Sequence, residues 1–358
     1  MSNDDLYNHP YGVTQQFRHC GNPFRIDTYR GCNFGCTYCF AYNRASLEIK
    51  NQVANMKHIE RLFERAFDEN EDTKNLSVEC LQHRVPLHLG GLADPFQTRE
   101  FEYHCTLDLI KLTKKYNYPM IISTKTASLP EEYFEYLDPN IHAFQISLFS
   151  DNAELVRKYE HNTPTPQERI DFMKLLRSKG FWVSCRIQPL VDIDSAVSLV
   201  ENISNFVNYI TVEHLKISAD NKKMANFLFK MNKYEPSDYI CTGRSYELKT
   251  EIKKENVDKL KAVSKCPIGC GDNDLHEYSD SNNCCGIDTI NENFNGWLKY
   301  NSMNIRKTNS RDYWCPKSKC HSCFNSDCVR KNFTYQDYVE NYMENGVPQR
   351  KCNFKIEE

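Results

Sequence analysis

Three cysteines in one short loop constrain this chain more than anything else in it. Cys32, Cys36 and Cys39 are spaced C-x3-C-x2-C within Tyr29-Arg-Gly-Cys-Asn-Phe-Gly-Cys-Thr-Tyr-Cys-Phe-Ala-Tyr42. Three thiolates can hold three irons of a [4Fe-4S] cluster and leave the fourth iron open to a small molecule. A cluster with four protein ligands usually only carries electrons. Zinc sites more often read as two C-x2-C pairs, or as two cysteines with two histidines. Gly31 and Gly35 let the loop fold tightly, and Tyr38 adds a flat surface beside the last cysteine.

At 358 residues the chain is long enough for one large core, or one domain plus a smaller one. No apolar run approaches the ~20 residues that span a bilayer. The N-terminus, Met1-Ser-Asn-Asp-Asp5, is acidic and polar and does not read as a secretion signal. A reducing cytoplasm is therefore expected. There, 17 cysteines argue for metal or catalysis rather than disulfides.

Apolar, β-branched runs alternate with helical patterns from about residue 24 to 235. Strands are expected at Phe24–Tyr29, Pro86–Leu89, Met120–Thr124, Ala143–Phe149, Trp182–Pro189 and Tyr209–Ile217. Helices are expected near 44–68, 99–116, 130–137, 166–179 and 193–205, with Ile170, Met173, Leu175 and Leu176 on one side of the fourth. Such alternation predicts an α/β fold, a parallel sheet with helices outside. Past residue 236 the alternation fades and cysteines cluster, which sets the expected boundary between a domain at 1–235 and a Cys-rich domain at 236–358. Lys249–Lys265 is charged and reads as a connecting helix.

The cysteine loop, its glycines and its place after an early strand resemble the radical S-adenosylmethionine (SAM) superfamily. That resemblance implies a (β/α)6 partial TIM barrel with ligands at the C-terminal strand ends. It also implies a [4Fe-4S] cluster at Cys32, Cys36 and Cys39 whose open iron chelates SAM. The reduced cluster then cleaves SAM to a 5′-deoxyadenosyl radical that takes hydrogen from a substrate. A reductant such as flavodoxin or ferredoxin is implied as partner.

Further motifs resemble the branch related to spore photoproduct lyase, described as DNA-repair photolyase-like. Gly90-Gly91 matches the edge that binds the methionine amino group. Asp94-Pro-Phe-Gln-Thr-Arg-Glu100 is similar to an Asp-Pro-Tyr-Gln-Pro-x-Glu stretch, with Phe96 for the tyrosine and Thr98 for the second proline. Ser123-Thr-Lys-Thr126 places Lys125 to pair with the SAM carboxylate. Gln145-Ile-Ser-Leu148, Glu160-His-Asn-Thr-Pro-Thr-Pro-Gln-Glu-Arg169 and Cys185-Arg-Ile-Gln-Pro189 resemble the strands and segment that follow. On this reading Tyr38, Gly90, Gly91, Asp94, Lys125, Ser147 and Arg186 are cofactor-binding candidates, and Arg186 can clamp a carboxylate bidentately. The resemblance spans residues 20–217. Cys105 and Cys185 are candidate hydrogen-atom donors against the plainer reading of buried apolar side chains. His88 can shuttle a proton or simply pack.

A second cysteine field holds Cys266, Cys270, Cys284, Cys285, Cys315, Cys320, Cys323 and Cys328. It implies auxiliary iron–sulfur ligation or, alternatively, a zinc knuckle. His276 and His321 are weaker candidates that read better as surface histidines. From Lys299 to Lys331 eight Lys or Arg face two Asp, a patch suited to phosphates or a solvated surface. The expected activity is radical modification or repair of a macromolecule, nucleic acid ahead of peptide. The alternatives are a radical SAM maturase of a peptide and a non-catalytic, zinc-stabilised nucleic-acid-binding protein.

Overall fold

The computed structural model describes residues 5–13, 21–43, 51–70, 75–219, 221–242 and 245–296. Its centre is one open sheet. The strands Phe24–Ile26, Leu87–Leu89, Met120–Thr124, His142–Ser147, Trp182–Leu190 and Tyr209–His214 lie side by side in chain order, all parallel. Tyr11–Val13 runs antiparallel along the edge strand Phe24–Ile26. Among the described residues no pairing joins the two edges, so the six strands form a partial barrel rather than a closed one.

The sheet does not stop where the sequence pattern changes. Past residue 235 the helix Thr250–Val263 leads into Ile268–Cys270, which pairs parallel with Tyr209–His214. This adds a seventh parallel strand. Ile268-Gly-Cys270 is too short to show an apolar period, and its cysteine drew it into the metal-binding pattern instead.

Strand alternation gives the sheet two faces. Met120, Ile122, Phe144, Ile146, Val183, Cys185, Ile187, Ile210 and Val212 join the large core beneath the helices. Ile121, Ala143, Trp182 and Tyr209 form a separate apolar floor on the concave face with Ile287 and Phe294. Both faces are covered, so Met120–Thr124 is buried throughout, as a central parallel strand should be. The segment carrying Ile287 and Phe294 thus plugs the N-terminal end of the barrel interior. Each of those two side chains contributes about 2 kcal/mol of apolar burial. Gly286 permits the close fit, since a Cβ there would lie 2.5 Å from the Tyr209 ring.

The helices follow local sequence logic. Pro166–Ser178 opens with a reciprocal capping box, in which Glu168 N donates to Thr165 Oγ1 at 3.3 Å and Thr165 N to Glu168 Oε2 at 2.7 Å. It buries Ile170, Met173 and Leu176. Leu175, expected on that side, is instead 43% exposed. Five helical steps from Ile170 turn through about 140° and carry it out of the buried stripe. Ile193–Ile203 is capped by Asp192, which accepts from Asp194 N and Ser195 N, and buries Ala196, Leu199, Val200 and Ile203.

Candidate active site

The cysteine loop follows the first parallel strand at its C-terminal end. Gly31 and Gly35 adopt φ of 81° and 66°, and Cys39 N donates to Cys36 O at 3.1 Å, which closes the turn. The loop is docked on the segment after the Ala153–Tyr159 helix. Thr37 N donates to Tyr159 O at 2.8 Å, Asn162 N to Phe34 O at 3.1 Å and Asn162 Nδ2 to Asn33 O at 3.0 Å. Its entry is held from the other side, by Gln97 Nε2 to Gly31 O at 2.9 Å and by Arg99 to the carbonyls of Arg30 and Gly31. Tyr42 Oη donates to Cys32 O at 2.5 Å.

All three thiols are partly buried and within electrostatic reach of one another. Burial, then the charge of Asp94, pushes Cys32 up to about 11. Burial pushes Cys36 up to about 12, against the pull of Lys125. Bound iron reverses that preference, because a coordinating thiol is deprotonated. Among the described residues no three His, Cys, Asp or Glu side chains converge on one ion position. A cubane cluster does not require that, since each thiolate binds a different iron. Three partly buried thiols on a glycine-turned loop suit such a cluster.

Glu160 organises the surroundings. Its Oε1 lies 3.0 Å from Lys125 Nζ, its Oε2 lies 2.6 Å from Arg169 Nη2, and Tyr38 Oη donates to it. Burial alone would raise this carboxyl, but Lys125 and Arg169 outweigh it and hold the group at about 2. Burial also works against the Lys125 charge, and Glu160 overcomes it. Lys125, expected against the SAM carboxylate, is thus already paired, and its ammonium sits 5.6 Å from the centre of the Tyr38 ring. Tyr38 packs on Phe149 and Tyr159. Arg169 also donates to Ser147 O at 2.7 Å. The sequence places Glu160 and Arg169 in a segment that resembles the family's. Nothing local shows that one carboxylate gathers three partners from separate elements.

The Asp94–Glu100 stretch is a scaffold. Asp94 accepts from Phe96 N at 3.0 Å, Thr124 Oγ1 at 2.8 Å and Lys125 N at 2.6 Å. Its carboxylate, a cofactor-binding candidate from the sequence, therefore staples the second strand end to the third. Glu100 accepts from Tyr29 Oη at 2.5 Å, Tyr133 Oη at 2.6 Å, Thr106 N at 2.8 Å and Leu107 N at 2.9 Å. Gly90 has φ of 90°, and a Cβ there would lie 2.2 Å from Ser123 O. Gly91 is less crowded, with Arg25 Cδ at 3.4 Å from the same hypothetical atom.

Above the apolar floor the concave face is polar. His88 Nε2 pairs with Ser123 Oγ at 2.8 Å, and Ser123 Oγ donates to Gln145 Oε1 at 3.0 Å. Burial, reinforced by Arg186 and Arg25, pushes His88 down to about 3, so the ring is neutral near pH 7. Arg186 donates to Gln188, Gln188 donates to Glu213, and Lys216 Nζ donates to Glu213 Oε1 at 2.6 Å. The Cys284–Cys285 turn abuts the same face, where Cys284 O accepts from Thr211, the residue paired with Arg186 across the sheet.

Cys185 lies away from the chamber, whereas Cys105 sits in a small apolar cluster that Cys32 borders. Cys185 Sγ points toward Leu148 O at 3.5 Å within the core under the helices, because Arg186 takes the inward position next to it. Cys105 packs with Tyr29, Val53 and Ala93. Nor does the fold gather the described part of the second cysteine field. Cys270 packs against Val257 and Leu275 on the helix side, while the Cys284–Cys285 turn lies against Tyr209 and Thr211 on the other face. Cys315, Cys320, Cys323, Cys328, His321 and the basic stretch from Lys299 lie outside the described residues. His276 is largely enclosed, and burial lowers it to about 4.

A partial parallel barrel with a C-x3-C-x2-C loop at its C-terminal mouth defines a class. Residues 26–193 match the radical SAM superfamily, and the chain carries a radical SAM domain. Uncharacterized proteins of Mycobacterium bovis and Mycobacterium tuberculosis are 27% identical to it over 182 residues, 47% of this chain and 50% of theirs. The chain thus spans about half the length of these relatives. The fold is similar to that of spore photoproduct lyase. A doubly substituted form of that enzyme, with bound AdoMet and dinucleoside spore photoproduct, superposes with a TM-score of 0.55 at 14% identity, covering 72% of this chain and 78% of that one. A singly substituted form gives 0.56 at 13% identity over the same shares. No described helix is long and apolar enough to cross a membrane.

Proposed function

We propose that this chain is a radical SAM enzyme acting on nucleic acid, with the barrel interior as its reaction chamber. The observation that carries the reading is positional: the three-thiol loop and the polar concave face share one end of the barrel. The cluster held by Cys32, Cys36 and Cys39 would supply reductive cleavage of SAM to a carbon radical. The protein's own residues do the rest. Gln97 and Arg99 fix the loop entry. Asp94 holds the second and third strand ends in register. Arg186, Gln188, Glu213 and Lys216 present a hydrogen-bonded row for a polar substrate, and the Ile287–Phe294 plug excludes water from below. Support for nucleic acid comes from the fold shared with an enzyme whose structure holds a dinucleoside spore photoproduct, and from the basic stretch after Lys299.

The test has two arms. Anaerobic reconstitution followed by reduction should release 5′-deoxyadenosine from SAM, and the triple change of Cys32, Cys36 and Cys39 to Ala should abolish both the release and about four irons per chain. Persistent release in the triple variant refutes the site. Binding to DNA or RNA oligonucleotides should weaken steeply with salt. No salt-dependent affinity for either sinks the nucleic-acid assignment and leaves the SAM chemistry standing.

A further inference from the structure

Cys284 and Cys285 are adjacent in sequence, and their sulfurs lie 3.6 Å apart. They occupy the two central positions of a turn closed by Gly286 N donating to Asn283 O at 3.2 Å. The turn is built to hold this shape. Asn283 Oδ1 accepts from Cys285 N and Ile287 N, both at 3.2 Å, and Asn283 Nδ2 donates to Asp288 at 2.9 Å. Thr211 Oγ1 donates to Cys284 O at 2.8 Å from the floor of the sheet. A Cβ on Gly269 would come within 2.3 Å of that same carbonyl, so the strand backbone touches the turn directly. Thr211 pairs with Arg186 across the sheet, which sets the turn against the polar concave face.

Packing cysteines do not need a turn of this kind, and no third metal-binding side chain among the described residues joins the pair. We propose that Cys284 and Cys285 form a redox-active vicinal dithiol on the chamber wall, whose reaction partners are small aliphatic disulfides and thiols. One thiolate attacks the small disulfide, forms a mixed disulfide and expels the first small thiolate. The second cysteine then attacks the protein sulfur of that mixed disulfide and expels the second. The chain loses two hydrogens, the small disulfide gains them, and one S–S bond replaces another. Rotation of the two side chains, with a twist of the peptide between them, would bring the sulfurs to the bonding distance of about 2.05 Å. Consecutive Cα atoms stand only about 3.8 Å apart, closer than a relaxed disulfide prefers. The closed form is strained and readily reduced, the behaviour of exchanging rather than structural disulfides. Reduced, the pair lines the chamber with two S–H groups; oxidised, it removes them.

The experiment needs neither SAM cleavage nor an identified substrate, so its outcome is separable from the proposed function. The full chain is equilibrated anaerobically in reduced and oxidised glutathione at a series of ratios, quenched in acid and alkylated. The tryptic peptide between Lys265 and Lys299 is then sequenced by mass spectrometry. Cys284 and Cys285 should lose their alkyl groups together as the buffer becomes oxidising, leaving a peptide lighter by two hydrogens and bridged between them. In Cys285→Ser the bridge should be replaced by a glutathione adduct on Cys284. Three results overturn the proposal: both cysteines alkylated at every ratio, either one bridged to another cysteine, or both shielded from alkylation in reducing buffer until a chelator strips iron or zinc. Retained thermal melting of Cys285→Ser shows that loss of the bridge is not loss of the fold.

Discussion

Lys125 Nζ lies 3.0 Å from Glu160 Oε1 at the mouth of the barrel, in a buried ion pair that ties the third strand end to the segment under the cysteine loop. The other carboxylate oxygen holds Arg169, which is also fully buried. Glu160→Gln leaves two buried cations with no anion between them, and such a loss costs about 3–5 kcal/mol. Urea unfolding should show that loss, while Lys125→Met should cost less because Arg169 still pairs with Glu160. Equal losses in the two variants would contradict the hub. The carboxyl is held at about 2, below its ordinary 4.5, so its stabilisation is complete above about pH 4.5 and disappears as pH falls toward 2.

Gly90 and Gly91 read alike in the sequence, yet the structure separates them. Gly90 takes φ of 90°, and a side chain there meets the Ser123 carbonyl at 2.2 Å. Gly90→Ala should lower stability by more than about 1 kcal/mol, combining left-handed strain with a backbone collision. For Gly91→Ala the nearest atom is Arg25 Cδ at 3.4 Å, an ordinary contact on a flexible side chain. That variant should melt near the wild type but bind SAM more weakly, as equilibrium dialysis of the reconstituted chain would show. Unchanged SAM affinity in Gly91→Ala would remove Gly91 from the ligand edge.

The repeating part of the fold was legible because periodicity is local. Met120–Thr124 was expected and observed with the same ends, and Trp182–Leu190 and Tyr209–His214 differ from expectation only at their C-termini. Leu175 and Ile268–Cys270 were not legible. One sits on a helix whose buried stripe is narrower than its apolar content suggests, and the other is a three-residue strand defined by its neighbour. In the candidate site the cysteine loop is readable from spacing alone. The partners of Asp94, Glu100 and Glu160 are not, since each carboxylate collects donors from segments brought together only by the sheet.

The plug beneath the chamber has a measurable weight. Phe294 is fully buried with Ile121, Ala143, Trp182 and Tyr209, residues from four strands. Phe294→Ala opens a void among rigid strand side chains that cannot collapse onto it, and should cost about 3–5 kcal/mol. Because the same segment positions Cys285, the variant should also speed alkylation of that thiol. A small stability loss with unchanged alkylation would mean that the segment is not anchored through its aromatic ring.

His88 sets a second pH dependence, of opposite charge type but the same direction. Burial, then the nearby Arg186 and Arg25 charges, lowers the ring from 6.5 to about 3, so the folded protein keeps it neutral while the unfolded chain protonates it below 6.5. Its contribution to stability is therefore full above pH 6.5 and declines continuously as pH falls toward 3. His88→Gln keeps a group able to pair with Ser123 Oγ and removes the titration. The variant should lose less stability than the wild type between pH 7 and pH 5, by up to about 2 kcal/mol, the free energy of 1.5 pH units at one proton. Above pH 7 the comparison reports only packing and hydrogen bonding. Parallel stability curves across that interval would show that the ring protonates freely in the folded chain, and hence that the chamber admits water to His88.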